Sequence, residues 1–166
     1  MNYKKAIKQL DQKSEDLQDT YKQLEKKFKK LKKYEADEMM HAAHDYAFEK
    51  IDCLKCANCC KTIPPLIEPE DIKRLAKHLQ ITEKEFKQKY ITKDEDGDLV
   101  LNIVPCMFLN KDNTCSIYSI RPKACAEYPF TNYTNCKKIF DTYILNAGTC
   151  LAVSDVLDQL SDDLLE

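Results

Sequence analysis

Cys53-Leu54-Lys55-Cys56-Ala57-Asn58-Cys59-Cys60 is the stretch on which the reading of this chain turns. Four thiols fall within eight residues, and Cys106, Cys115, Cys125, Cys136 and Cys150 follow. An isolated cysteine ionises near pH ~8.5, so several neighbouring thiolates need a cationic partner. A soft or borderline metal supplies one by bonding directly to sulfur. A Cys-x-x-Cys turn brings two sulfurs to one ion, and backbone amides in the turn can donate to them. That spacing repeats here as Cys53, Cys56 and Cys59, matching the opening of a bacterial ferredoxin run without its fourth cysteine and proline. Adjacent Cys59 and Cys60 point their side chains in different directions. They suit two ions, or a bridged polynuclear site, better than two corners of one tetrahedron.

Cys106, Cys115 and Cys125 are far enough apart to return from separate loops. Two four-thiolate sites need eight cysteines, and the chain has nine. Cys150 makes the eighth and would tie the C-terminal segment to the site. Cys136 is then the spare, kept as an additional candidate. His41 and His44, one helical turn apart and close in sequence to Cys53, are the other additional candidates. Glu38-x-x-His41 has the carboxylate-histidine spacing of di-iron bundles, but that architecture needs two such motifs and one is present.

Three further stretches carry a resemblance. They are the Cys53-x2-Cys56-x2-Cys59-Cys60 run, Pro105-Cys106-Met107-Phe108-Leu109, and the segment from Cys115 through Tyr118, Arg121-Pro122 and Cys125 to Pro129-Phe130. In this order they resemble the cysteine-cluster (CxxCxxCC) family of zinc- or iron-chelating domain proteins, over roughly residues 51 to 153. The helix beginning Ile72-Lys73-Arg74-Leu75 is similar too. The resemblance implies Cys53, Cys56, Cys59, Cys60, Cys106, Cys115 and Cys125 as metal ligands and zinc or iron as the cofactor; the repeated Cys-x-x-Cys spacing adds an iron–sulfur cluster as an alternative. Arg121 is expected to support the ligands by offsetting thiolate charge and donating to sulfur.

Outward from the cluster the chain changes character near Ile51. Residues before it contain no proline, glycine or cysteine. Leu10, Leu17, Leu24 and Leu31 recur every seven residues; Ile7, Tyr21 and Phe28 form a second row, which Ser14 breaks. That a/d pattern predicts one long helix over residues 3 to about 50, with a change of apolar phase near Tyr34. Its seam must pack on the stripe Val153, Val156, Leu157, Leu160 and Leu164, or on a second copy of the arm. Beyond Cys53, Glu68-Pro69 opens a helix to about Leu79, and Thr82-x-x-Glu85 caps another to Tyr90. Asp96-Gly97 makes a turn before a short strand from Leu99 to Val104. Pro122 starts a helical turn carrying Cys125, and helix is expected over 136–146 and 151–160. The expected fold is mainly α with irregular, metal-stitched loops. It divides into a coiled-coil-like arm (1–50), a cysteine-cluster domain (51–153) and a C-terminal helix (154–166).

Charge is nearly balanced, with 26 lysines and arginines against 28 acids, and only Arg74 and Arg121 are arginine. Sequence-specific nucleic-acid recognition is therefore not expected. The lysine run from Lys26 to Lys33 reads as the wet flank of the heptad seam, and Asp94–Asp98 as a turn rather than a calcium loop. No apolar run is long enough to span a bilayer or to serve as a signal peptide, so a cytoplasmic, reducing setting is expected. No serine-histidine-acid set is evident. The function expected is a metal-binding protein whose helical arm self-associates or docks a partner; the alternatives are an iron–sulfur protein in electron transfer or an enzyme complex, and a metal carrier or sensor.

Overall fold

A computed structural model describes residues 1–165, so the last residue of the expected 154–166 segment lies outside it. In chain order the helices are α1 (Tyr3–Asp16), α2 (Gln18–Phe28), α3 (Lys33–Lys50), α4 (Cys53–Cys56), α5 (Asn58–Thr62), α6 (Pro69–His78) and α7 (Glu83–Tyr90). Strands β1 (Ile91–Lys93) and β2 (Leu99–Leu101) follow, then α8 (Lys123–Glu127), α9 (Phe140–Asn146) and α10 (Leu151–Leu165). The protein is mainly α-helical with a single two-stranded sheet among the described residues. It folds as two compact units: Met1–Asn58 together with the chain from Pro129 on, and Cys59–Tyr128.

In the first unit the expected single helix over residues 3–50 is instead three helices. The first break lies at Leu17, whose backbone leaves the helical region (φ −97°, ψ 7°). The Gln18 side-chain amide donates to the Ser14 carbonyl at 3.1 Å, an acceptor that a straight helix would offer to the Gln18 backbone amide. The second break follows Phe28. Lys30 and Leu31 close the helix with bonds to the carbonyls three residues back, and Lys32 is extended before α3. Glu35 then reaches back to accept from the Lys32 amide at 3.0 Å, capping α3. Two of the four heptad leucines, Leu17 and Leu31, thus sit at the breaks.

Leu10, Tyr21, Leu24 and Phe28 are buried in one core with Val153, Val156, Leu157 and Leu160 of α10. The heptad seam is therefore filled from within the same chain. Helix α3 joins this core through Met40 and the small side chains of Ala36, Ala43 and Ala47, at helical spacing, which let α10 pack close. Phe140 of α9 packs on Phe28 with ring centroids 4.9 Å apart. Ser14, which breaks the heptad, is buried where Gly148 approaches α1: a Cβ on Gly148 would lie 3.5 Å from the Ser14 Cβ and 3.2 Å from the Asp11 carboxylate.

In the second unit the local signals correspond closely to the helices. Pro69 opens α6, with Asp71 accepting from the Glu68 amide at 3.0 Å. Thr82 and Glu85 form the reciprocal cap of α7. β1 and β2 pair antiparallel, Ile91 opposite Leu101, across a turn where Gly97 takes φ +88°. β2 is shorter than expected: it ends at Leu101, and the Asn102 amide bonds to the Tyr90 carbonyl. The core here is small, built on Ile67, Ile72, Leu75, Ala76, Phe86, Leu101, Phe108 and Ile117.

If Ser14 is small because Gly148 closes over it, completing the heptad should harm the fold. We expect Ser14→Leu to lower unfolding free energy by about 1–3 kcal/mol, the usual cost of overpacking, measured by urea denaturation. Stabilisation would mean that the seam is an open coiled-coil stripe.

Candidate metal centre

Cys60, Cys106, Cys115 and Cys125 all belong to the second unit. The Cys106 amide donates to the Cys60 carbonyl at 2.8 Å, seating the Cys106 loop on α5. From Cys106 the chain makes a tight hairpin: Leu109 and Cys115 form a bridge, and the Ser116 amide donates to the Phe108 carbonyl at 2.9 Å. Thr114, held by the Asp112 carboxylate, closes the tip. Cys106 and Cys115 are thereby set at the two feet of one loop.

Cys125 arrives on α8, and a buried carboxylate holds its approach. Asp71, 1% exposed, pairs with Arg74 and accepts from the Lys123 amide at 3.1 Å. Arg74 in turn donates to the carbonyls of Ile120 (3.1 Å) and Arg121 (3.0 Å). One ion pair on α6 thus fixes the chain from Ile120 to Lys123, immediately before Cys125. Sequence reasoning missed this clamp; its available signal was the i, i+3 spacing of Asp71 and Arg74 on one helix.

The sulfurs interact electrostatically. Burial pushes the Cys125 thiol up to about 12, and the charges of Cys60, Cys106 and Cys115 add to the rise while Arg121 opposes it. Cys115 is raised by burial and by Cys60, against the Ile117 amide and Arg121. Cys106 is raised by burial, Cys60 and Cys115, while the amides of Phe108 and Leu109 donate to its sulfur. Cys60 is pushed far up, first by its hydrogen bond with Cys59 and then by burial. Arg121 donates to the Tyr118 carbonyl at 2.7 Å and lies 4.0 Å from the centre of its ring.

The first unit holds Cys53, Cys56, Cys136 and Cys150. Cys53 and Cys56 sit on α4, whose start is capped by Asp52 accepting from Leu54 at 2.9 Å. Cys150 immediately precedes α10, and the amides of Val153 and Ala152 donate to its sulfur. Burial pushes its thiol up to about 12, and Cys53 and Cys56 contribute to the rise. The Asn58 side chain donates to the Thr149 carbonyl at 2.8 Å, joining the end of the cysteine run to the Cys150 turn.

The additional candidates are occupied elsewhere in that unit. Cys136 is fully buried and raised to about 12 by burial and by its hydrogen bond to Asp37. Burial opposes ionisation of Asp37, yet the amides of Asn135 (2.8 Å) and Cys136 (2.9 Å) outweigh it and hold the carboxyl below its usual range. His41 Nε2 is 3.0 Å from the Tyr133 carbonyl, and His44 Nδ1 is 2.7 Å from the Thr131 hydroxyl. Burial lowers His44, a shift that Asp45 opposes and His41 reinforces.

Among the described residues, no three His, Cys, Asp or Glu side chains are positioned to hold a metal ion as they stand. The donor chemistry nevertheless fits a thiophilic cation. Amide N–H groups point at the sulfurs of Cys106, Cys115 and Cys150, and a guanidinium faces Cys115 and Cys125. Such donors support sulfur that carries negative charge, the form in which it binds metal.

Residues 52–150 match the CxxCxxCC family, described as a "putative zinc- or iron-chelating domain", and the chain belongs to that family. No solved structure matches the chain.

The Asp71 clamp can be tested directly. Asp71→Ala should destabilise the Cys59–Tyr128 unit by about 2–3 kcal/mol, below the loss of a fully buried pair because the Arg74 side chain is 37% exposed. Hydrogen exchange should show protection lost first around residues 120–127; unchanged exchange there would mean that the pair does not hold the Cys125 segment.

Proposed function

We propose that this protein binds zinc or iron through thiolates drawn from Cys53, Cys56, Cys59, Cys60, Cys106, Cys115, Cys125 and Cys150, and that the metal secures the Cys59–Tyr128 unit. The observation that carries this reading is the grouping of Cys60, Cys106, Cys115 and Cys125, where each thiol's ionisation is opposed by others and helped by amides or Arg121. A bound cation relieves that opposition by taking up sulfur charge directly. Cys136 and the two histidines are outside the ligand set.

The family description supports chelation, and the small core of this unit supports a structural role. Thiolate-bound structural zinc contributes on the order of 10 kcal/mol to folding at neutral pH. The setting that suits such thiols is a reducing one, in keeping with a cytoplasmic protein. The seam of α1 and α2 is already filled by α10, so any partner of the helical unit would meet its outer face.

An iron–sulfur cluster is the second reading. The repeated Cys-x-x-Cys spacing and the amide donors to sulfur favour it equally, since both tune clusters as well as single ions. Visible absorption after anaerobic purification separates the two: a brown, reducible chromophore supports the cluster, and a colourless metal-loaded protein supports zinc.

Removing the metal with a strong chelator should unfold residues 59–128, while the helical unit keeps its circular-dichroism signal. Limited proteolysis should then cut within that stretch. Full resistance after verified metal removal would overturn the structural role.

A further inference from the structure

We infer that the cysteines divide by unit into two metal-binding sets. Cys60, Cys106, Cys115 and Cys125 form one, and Cys53, Cys56 and Cys150 form the other, whose ion exchanges faster; Cys59, hydrogen-bonded to Cys60 in the unit of the first set, fills no corner of either shell. This rests on the thiolate reading above and extends it to stoichiometry and lability.

Geometry gives the first set. The Cys106 amide bonds to the Cys60 carbonyl, the Leu109–Cys115 bridge closes the loop between Cys106 and Cys115, and Asp71 anchors the segment leading to Cys125. All of these links lie within one compact unit. The second set is gathered by different contacts: α4 carries Cys53 and Cys56, and the Asn58–Thr149 bond places the end of that run beside the turn bearing Cys150. Cys136 belongs to neither, because its thiol is engaged with Asp37.

Lability follows from number and exposure. Four thiolates close a tetrahedral shell, and closed shells are the mark of structural zinc; three leave a coordination position for an incoming ligand. Cys53 is also exposed, whereas no member of the first set is. A competing chelator therefore has a route to the ion of the second set.

The full chain, reduced and reconstituted anaerobically with zinc alone, is expected to bind two ions. Transfer to a colorimetric chelator should run in two phases of equal amplitude, with rates at least about tenfold apart. Cys150→Ser should lose the fast phase and one equivalent while keeping the slow one. Cys125→Ala should lose the slow phase, and Cys136→Ser should change neither. Cadmium substitution of the unaltered chain gives a check that needs no variant to fold: two cadmium resonances are expected. A single equivalent, a single resonance, or one phase lost in both Cys150→Ser and Cys125→Ala would overturn the division while leaving thiolate binding intact. No zinc bound at all would overturn the thiolate reading itself.

Discussion

A buried thiol beside other thiols resists ionisation, and this opposition is the constraint on which the proposed centre depends. Around Cys125 it is cumulative, because burial and three neighbouring sulfurs act in the same direction. The chain counters it with Arg121 and with amides aimed at Cys106 and Cys115. These donors alone leave every thiol of the group above its ordinary value, so they prepare sulfur charge without supplying it. In the account proposed here the bound metal completes the balance. The second unit then combines a small apolar core with a thiolate centre, and the Asp71–Arg74 pair fixes the segment that leads to Cys125.

The helical unit is built on a larger apolar core. Its apolar side chains from α1, α2, α3, α9 and α10 share one core, and its fully buried members include Tyr21, Phe28, Phe140 and Tyr143. The chain from Thr131 to Cys136 is joined to α3 by polar contacts of His41, His44 and Asp37 with the Tyr133 carbonyl, the Thr131 hydroxyl and the Asn135 and Cys136 amides. These three residues, chemically suited to metals or proton transfer, here hold a connecting segment to a helix.

Local signals in the sequence carried through where the structure depends on neighbours within a few residues. The Thr82–Glu85 cap, Pro69 at the start of α6 and the Asp96-Gly97 turn are decided at that range, and each lies where its residues indicate. Apolar periodicity identified Leu10, Leu24, Val156 and Leu160 as packing positions. It could not reveal the break at Leu17, where the Gln18 side chain takes the Ser14 carbonyl. Cysteine spacing pointed to metal chemistry and family membership to zinc or iron. The grouping of particular sulfurs and the clamp on Cys125 were not legible, since both arise from contacts between residues about 50 positions apart.

X-ray absorption at the metal edge of anaerobically purified protein tests the central claim most directly. The account predicts a first shell dominated by sulfur, at about 2.3 Å if the metal is zinc. A shell dominated by nitrogen or oxygen would contradict it, because no thiolate centre would then be present.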